Sequence, residues 1–253
     1  MSKRIDLNCD MGESFGLYSY GADADIIPHI SSANIACGFH GGDPSVMRKS
    51  VKLALDHGVA IGAHFGFPDL LGFGRRSFHI RPADLKNYVT YQVGALDAFV
   101  RAAGASLHHV KPHGALYMMA LEDRELSRAI VEASLEHDEK LMIYTIRNSA
   151  THQEADRLGL RVIPEFFADR GYHSSGKVKM FDWKIKEAGG TPQAIGQRVV
   201  RLVRHGTVKT IEGDEISVKA ETICVHSDTP GSPQIAKAIR QSLHRVGVHV
   251  RKP

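Results

Sequence analysis

Short apolar runs that end in polar residues recur along this chain, and their spacing predicts its architecture. From Arg4 to Asn8 the residues alternate, with Ile5, Leu7 and Cys9 on one side and Asp6, Asn8 and Asp10 on the other. That period of two marks a strand with one polar face. Ala33–Cys37 repeats the design, setting Asn34, Ala36, Gly38 and His40 against Ile35, Cys37 and Phe39. Ala60–Ala63 ends in His64, and Leu107–Val110 runs into Lys111, Pro112 and His113. Pro112 removes a ladder donor there, so the strand must end. If its alternation continues to the exit, His109, Lys111 and His113 face one way and His108, Val110 and Pro112 the other. Three more strands follow. Leu141–Tyr144 is the fifth, Arg161–Phe167 puts Ile163, Glu165, Phe167 and Asp169 on the side of Arg161, and Thr222–Val225 groups Cys224, His226 and Asp228.

Helical patterns fill the gaps. A short piece lies near Asp23–Ile30. Asp43 before Pro44 is an N-cap and first-turn signal for a helix to about His57, with Gly58 as its stop. Pro82 opens the longest helix, to about Ala103, and others span Asp123–His137, Ser149–Leu158 and Thr191–His205. Ser232-Pro233 caps a last helix that stops at Gly247, and Glu212-Gly213-Asp214 marks a small hairpin. Two long stretches stay irregular, Phe65–Phe78 and Ala168–Gly190; loops of such length in a compact domain are usually functional or mobile. Seven strand-then-helix units without an internal repeat predict a single α/β domain over residues 1–253. A closed parallel β/α barrel is the expectation, because it converges every strand exit on one end. An open doubly wound sheet is the alternative.

Composition narrows the function classes. With 253 residues, 43% hydrophobic and 24% charged, the chain has the size and make-up of one globular barrel. The net charge of +4 is not gathered into basic blocks, which argues against nucleic acid as a partner. No apolar run approaches a membrane span, and the N-terminus enters a strand without a signal-peptide core. Cys9, Cys37 and Cys224 have no metal-like spacing, so a reducing, cytoplasmic setting is expected. Fifteen histidines are the outlier.

The strand exits carry the candidate chemistry: Asp10 and Glu13, His40 and Asp43, His64, Lys111 and His113, Glu165 with Asp169 and Arg170, and His226 with Asp228. Gathering so many ionisable groups in a core costs several kcal/mol unless they pair or bind something. In an acid-base reading, Lys111 lowers the pKa of neighbouring acids and Asp10 is the first choice of base. In a metal reading, Asp10, His40 and His64 are the expected ligands, although no HExxH or CxxC spacing supports them. The GFGRR run, with Arg75 and Arg76, suits a carboxylate or phosphate. Gly171–Val178 nearly matches a phosphate loop, but Val178 stands where a hydroxyl is required and no helix begins there. Cys224 shares a face with His226 and is a minor candidate nucleophile.

Taken in order, DLNCDMGESFG, SANIACGFHGGDP, GAHFGFPDLLGFGRR, YQVGAL, HVKPHGALY, EFFADRGY and CVHSDTPG resemble the LamB/YcsF family over nearly the whole chain. The resemblance implies a seven-stranded β/α barrel of the glycoside hydrolase/deacetylase type. It also implies ATP-dependent opening of 5-oxoproline to glutamate, with partner subunits B and C and with ATP and magnesium at the level of the complex. The family's exit motifs fall on Asp6, Asn8, Asp10, Glu13, His40, Asp43, His64, Asp69, Arg75, Arg76, Lys111, His113, Glu165, Asp169, Arg170, His226 and Asp228. Of these, Asp10, His40, His64, Lys111, His113, Glu165 and Asp169 are expected to be catalytic. Asn8, Glu13, Asp43, Arg75, Arg76, Arg170, His226 and Asp228 are expected to bind substrate. Departures are Phe65 for the usual proline, Ser227 for glycine, and Lys177-Val178-Lys179-Met180 for leucine, valine, proline and arginine. The last makes a related lactam a plausible substrate. A stand-alone metal-dependent deacetylase or carbohydrate-active hydrolase is the competing enzyme reading, and a non-catalytic small-acid-binding subunit the non-enzyme one.

Overall fold

The computed structural model describes residues 3–253. In chain order the elements are β1 (Lys3–Met11), α1 (Asp23–Ile26), β2 (Ser32–Ala36), α2 (Pro44–Asp56), β3 (Ala60–Phe65), α3 (Pro82–Ala102), β4 (His109–Pro112), α4 (Gly114–Ala120), α5 (Arg124–His137), β5 (Met142–Thr145), α6 (Ala150–Leu158), β6 (Arg161–Phe167), β7 (Gly171–Tyr172), β8 (Val178–Lys179), α7 (Pro192–His205), β9 (Thr207–Lys209), β10 (Glu215–Ser217), β11 (Thr222–His226), α8 (Ser232–Arg245) and β12 (Val248–Val250). Seven parallel strands run β1-β2-β3-β4-β5-β6-β11, and β11 pairs back onto β1. That last pairing, from Asp6 beside Thr222 to Asp10 beside His226, decides for a closed barrel over an open sheet.

The helices pack on the outer faces of the strands. Leu7, Ile35, Ile61, Val110, Phe166 and Ile223 are buried with Val89, Val93, Ile130, Val199 and Ile239 in one continuous apolar shell. The inside is different. Only Met142, Tyr144 and Ile163 form a small apolar cluster there, separate from the outer shell among the described residues. The rest of the tube is a stack of polar layers, which must satisfy one another because water is excluded.

At the bottom, Asp6 accepts from Ser31 (2.6 Å), Ser32 (2.8 Å), Thr222 (2.6 Å) and Tyr144 (3.0 Å). Burial lifts its carboxyl above the ordinary value, and those hydroxyls offset part of the rise. In the next layer, Asn8 donates to Glu165 (3.0 Å), Asn34 donates to Asn8 (2.7 Å), and His109 Nε2 meets Asn34 Oδ1 at 2.7 Å. The ring of His109 lies where a Cβ on Gly62 would sit, so β3 needs glycine at that point. These layers form the floor of the mouth.

Four elements differ from the sequence expectation. α4 starts straight after the exit of β4 and buries Ala115, Leu116, Tyr117 and Ala120, leaving no loop for a pattern to announce. β12 pairs with Lys3–Ile5 of β1 beneath the barrel and is only three residues long. β7 and β8 form a hairpin inside the stretch expected to be irregular. The phosphate-loop look-alike is the turn of that hairpin: His173 N donates to Lys177 O and Gly176 N to His173 O, both at 2.8 Å.

Candidate active site

The uppermost layer is built around Lys111. Its ammonium lies 3.0 Å from Asp10 Oδ1, 2.9 Å from Glu165 Oε1 and 3.1 Å from Cys224 Sγ, with all four residues buried. Burial alone would lower the Lys111 pKa, but Asp10 and Glu165 hold it well above the usual lysine value. Burial alone would likewise raise Asp10, yet His64 and Lys111 outweigh it and keep the carboxyl well below its ordinary range. Asn34 Nδ2 also donates to Asp10 Oδ1 at 2.7 Å. So tightly held a carboxylate is a weak base, which counts against Asp10 as the proton acceptor.

A second Asp–His pair has the geometry a base needs. His226 Nδ1 lies 3.0 Å from Asp169 Oδ1, and the backbone N–H of His226 and the hydroxyl of Thr229 both donate to Asp169 Oδ2. Burial pushes Asp169 up, but Arg170 and His226 bring it below the ordinary range. The ionised carboxylate therefore fixes the imidazole with Nε2 turned toward Asp10 Oδ2, 3.8 Å away.

Arg170 and Arg75 stand beside this pair. The Arg170 guanidinium stacks 4.0 Å over Trp183, bonds Asp169 at 3.0 Å, and reaches Asp228 at 3.8 Å. Arg75 bonds the same Asp228. Arg75 and Arg170 thus flank Asp228 at the mouth, with Asp169 answering Arg170 on its other side, so two cations are matched by two carboxylates.

Histidines form the opposite wall. His64 and Lys111 are direct neighbours in the β3–β4 register. The rings of His40 and His113 stack at 3.7 Å, and His113 Nδ1 lies 3.0 Å from His64 Nε2. Burial foremost pushes His40 and His113 well below the ordinary histidine pKa. Glu13 Oε1 sits 3.7 Å from both His40 Nε2 and His113 Nδ1. Burial, reinforced by Asp10 and Asp228, pushes the Glu13 carboxyl well above its usual value.

Not every expected residue joins the mouth. Asp43 caps α2, accepting from Ser45 and Val46 with one oxygen and from Gly16 with the other, so its lone pairs serve the backbone and not a ligand. Arg76 turns away from Arg75 to bond the buried carboxylate of Asp69, bracing the loop. The two guanidiniums of GFGRR are therefore not a clamp, since each already has its own carboxylate. Asn8 lies one layer below the mouth and acts through Glu165 and Asn34. Cys224 is a buried thiol whose pKa burial raises well above normal, Lys111 only partly opposing it; such a thiol is a poor nucleophile.

Other participants carry no sequence signal of their own. Tyr117 from α4 donates to Glu165 Oε2 at 3.0 Å. Gln92 from α3 exchanges two 3.0 Å bonds with the backbone of Gly66, pinning the loop after β3 and giving the YQVGAL stretch a structural role. Trp183 and its neighbours belong to the segment that departs from the family pattern, and Met180 and Phe181 close over the mouth. Beneath them lies a narrow cleft, with a cavity volume of about 20 Å³, lined also by Asp10, His64, Arg75, Lys111, Arg170 and His226. A larger hollow bordered by Glu187, Arg198 and Arg201 lies open on the surface away from these groups, whereas another of about 550 Å³ borders Glu165, Tyr172 and the turn at Gly176 and Lys177.

Comparison with known proteins agrees with this geometry. The model of the LamB/YcsF family matches residues 5–253. A relative from Heliobacterium modesticaldum, named as the A component of 5-oxoprolinase, is 51% identical over 251 residues, covering 98% of this chain and 97% of that one. Its namesake from Pyrococcus abyssi is 45% identical over 247 residues, covering 98% and 96%. Among solved structures, a lactam utilization protein from Thermus thermophilus superposes with a TM-score of 0.91 at 45% identity, covering 98% of this chain and 99% of that one.

Proposed function

Because this chain belongs to the LamB/YcsF family, we propose that it is the ring-opening A component of a 5-oxoprolinase, hydrolysing 5-oxoproline or a closely related lactam together with partner subunits B and C. The observation that carries this reading is the layout of the mouth cavity. At one end the guanidiniums of Arg75 and Arg170 meet at Asp228 and Arg170 Nε is left without a partner, so N–H donors remain for the carboxylate of a small cyclic acid. At the other, His226 is oriented by Asp169 beside the Asp10–Lys111 pair, suited to activating water at a ring carbonyl.

An amide carbon is a poor electrophile, so ATP with magnesium first phosphorylates the ring oxygen. With no phosphate loop in the described residues of this chain, that step falls to the partner subunits. Water then loses a proton to His226 Nε2 and adds to the ring carbon. The C–N bond breaks, the nitrogen takes up a proton, and an acyl phosphate remains. A second water releases phosphate and the open amino acid. Asp10 steadies the charge that develops on His226, and Lys111 holds that carboxylate in place. Met180 and Phe181 above the cavity exclude bulk water. Three free, buried cysteines fit a reducing cytoplasmic setting.

The test is ATP-coupled ring opening across a lactam panel by this chain with and without its B and C partners. Turnover that needs all components and favours a lactam bearing a carboxylate is the expected result. Absence of turnover on every lactam, or full turnover by B and C alone, would overturn it.

A further inference from the structure

Two groups of potential metal ligands meet at the mouth: Asp10 with Cys224 and His226, and Glu13 with His40, His64 and His113. The first already holds a cation, since the Lys111 ammonium lies within 3.1 Å of both Asp10 and Cys224. The second does not. Among the described residues no lysine or arginine is in ion-pair contact with Glu13, whose Oε1 instead faces the buried imidazoles of His40 and His113.

Hydrogen-bond accounting isolates this second group further. His64 Nδ1 lies 2.9 Å from the main-chain oxygen of Lys111, and His113 Nε2 lies 2.8 Å from that of Phe73. A carbonyl only accepts, so each ring commits its N–H there. The nitrogens left over, His64 Nε2 and His113 Nδ1, face each other at 3.0 Å, and His64 Nε2 also lies 3.4 Å from Asp10 Oδ2. His40 is fully buried, and neither of its ring nitrogens has a partner.

We propose that Glu13, His40, His64 and His113 form a binding site for a divalent transition-metal ion of the zinc class. Ligand atoms about 2.0–2.2 Å from a common ion stand roughly 3–4 Å apart, and the separations of 3.0 and 3.7 Å fall in that range. Three imidazoles and one carboxylate suit zinc, iron or cobalt, and not magnesium. The outer contacts are those of metal ligands as well: two histidines give their second N–H to backbone carbonyls, and Ser227 donates to Glu13 Oε2 at 3.3 Å, leaving Oε1 toward the histidines. Asp10, expected from sequence to be a ligand with His40 and His64, is instead engaged by Lys111 and Asn34. Glu13 and His113 take its place.

Binding here is independent of the ring-opening reading and is measured without activity. The folded full chain, stripped by a chelator and exchanged into chelator-free buffer, is titrated with zinc by calorimetry and with cobalt by visible absorption. Uptake of about one equivalent, with cobalt bands of a low-coordinate nitrogen and oxygen site, is expected. His40→Ala and His113→Ala each weaken it at least about tenfold, while His173→Ala, at the exposed hairpin, leaves it unchanged. Glu13→Gln keeps the shape and serves where an alanine variant fails to fold. No stoichiometric uptake by the folded wild type, or uptake indifferent to the His40, His113 and Glu13 changes, would overturn the proposal.

Discussion

Lys111 and Asp10, 101 residues apart in the chain, meet at 3.0 Å inside the barrel with neither open to water. Glu165 completes the group on the other side of the ammonium. One cation thus answers two buried carboxylates, so removing it strands both. Lys111→Met should cost about 3–5 kcal/mol of stability in urea unfolding. Adding Glu165→Gln should recover part of that, because one stranded charge is gone. A loss under about 1 kcal/mol would mean the group is hydrated and not a dry pair.

The Asp169–His226 pair makes a kinetic prediction. If Asp169 fixes the imidazole so that Nε2 carries the lone pair, Asp169→Asn puts the proton on the wrong nitrogen. In the assembled enzyme kcat should fall by roughly 10²–10⁴ with KM little changed. A wild-type kcat in that variant would remove His226 from the role of base. Asp10→Asn should also lower kcat, through lost support of the developing imidazolium and not lost proton transfer.

Arg75 should act on binding alone. Its guanidinium lines the mouth beside Asp228, the end proposed to take the substrate carboxylate. A charge-assisted hydrogen bond contributes about 1.5–3 kcal/mol, so Arg75→Met should raise KM about 10–100-fold for a lactam bearing a carboxylate. KM for the unsubstituted ring should not move. Equal losses on both substrates would place the carboxylate elsewhere.

How far the sequence discloses this site depends on the kind of signal each residue leaves. Strand exits are legible because a period of two followed by a polar residue is a physical pattern; it delivered His64, Lys111, Glu165 and His226 to one rim. Closure followed from the same pattern, since only a tube gives each polar face an inside. Pairing was not legible. Whether Arg75 meets Arg76 or Asp228, and whether Asp10 serves a metal or Lys111, depends on side-chain reach between strands distant in sequence. Tyr117, Gln92 and Thr229 left no mark because a lone neutral polar residue is common, whereas Asn34 showed only as a member of a polar strand face. Asp43 left two marks, an N-cap and an exit, and the backbone claimed it.

Asp23 offers a test by pH. Its carboxylate accepts from the backbone N–H of Gly12 at 2.8 Å, supporting the turn that presents Glu13, while its other oxygen is buried without a partner. Burial foremost raises its pKa from 3.8 to about 6, with the Gly12 bond opposing. The folded chain therefore keeps a proton that the unfolded chain releases. Stability from this group is fully present below about pH 4 and is lost as pH rises through about 6. Asp23→Asn keeps an acceptor for Gly12 and removes the titration. Relative to wild type it should gain about 2 kcal/mol between pH 4 and pH 8, allowing for partial exposure. Urea unfolding at both pH values measures that gain. A constant difference would mean that Asp23 titrates as it does in the unfolded chain, and that the turn at Gly12 bears no cost for holding it.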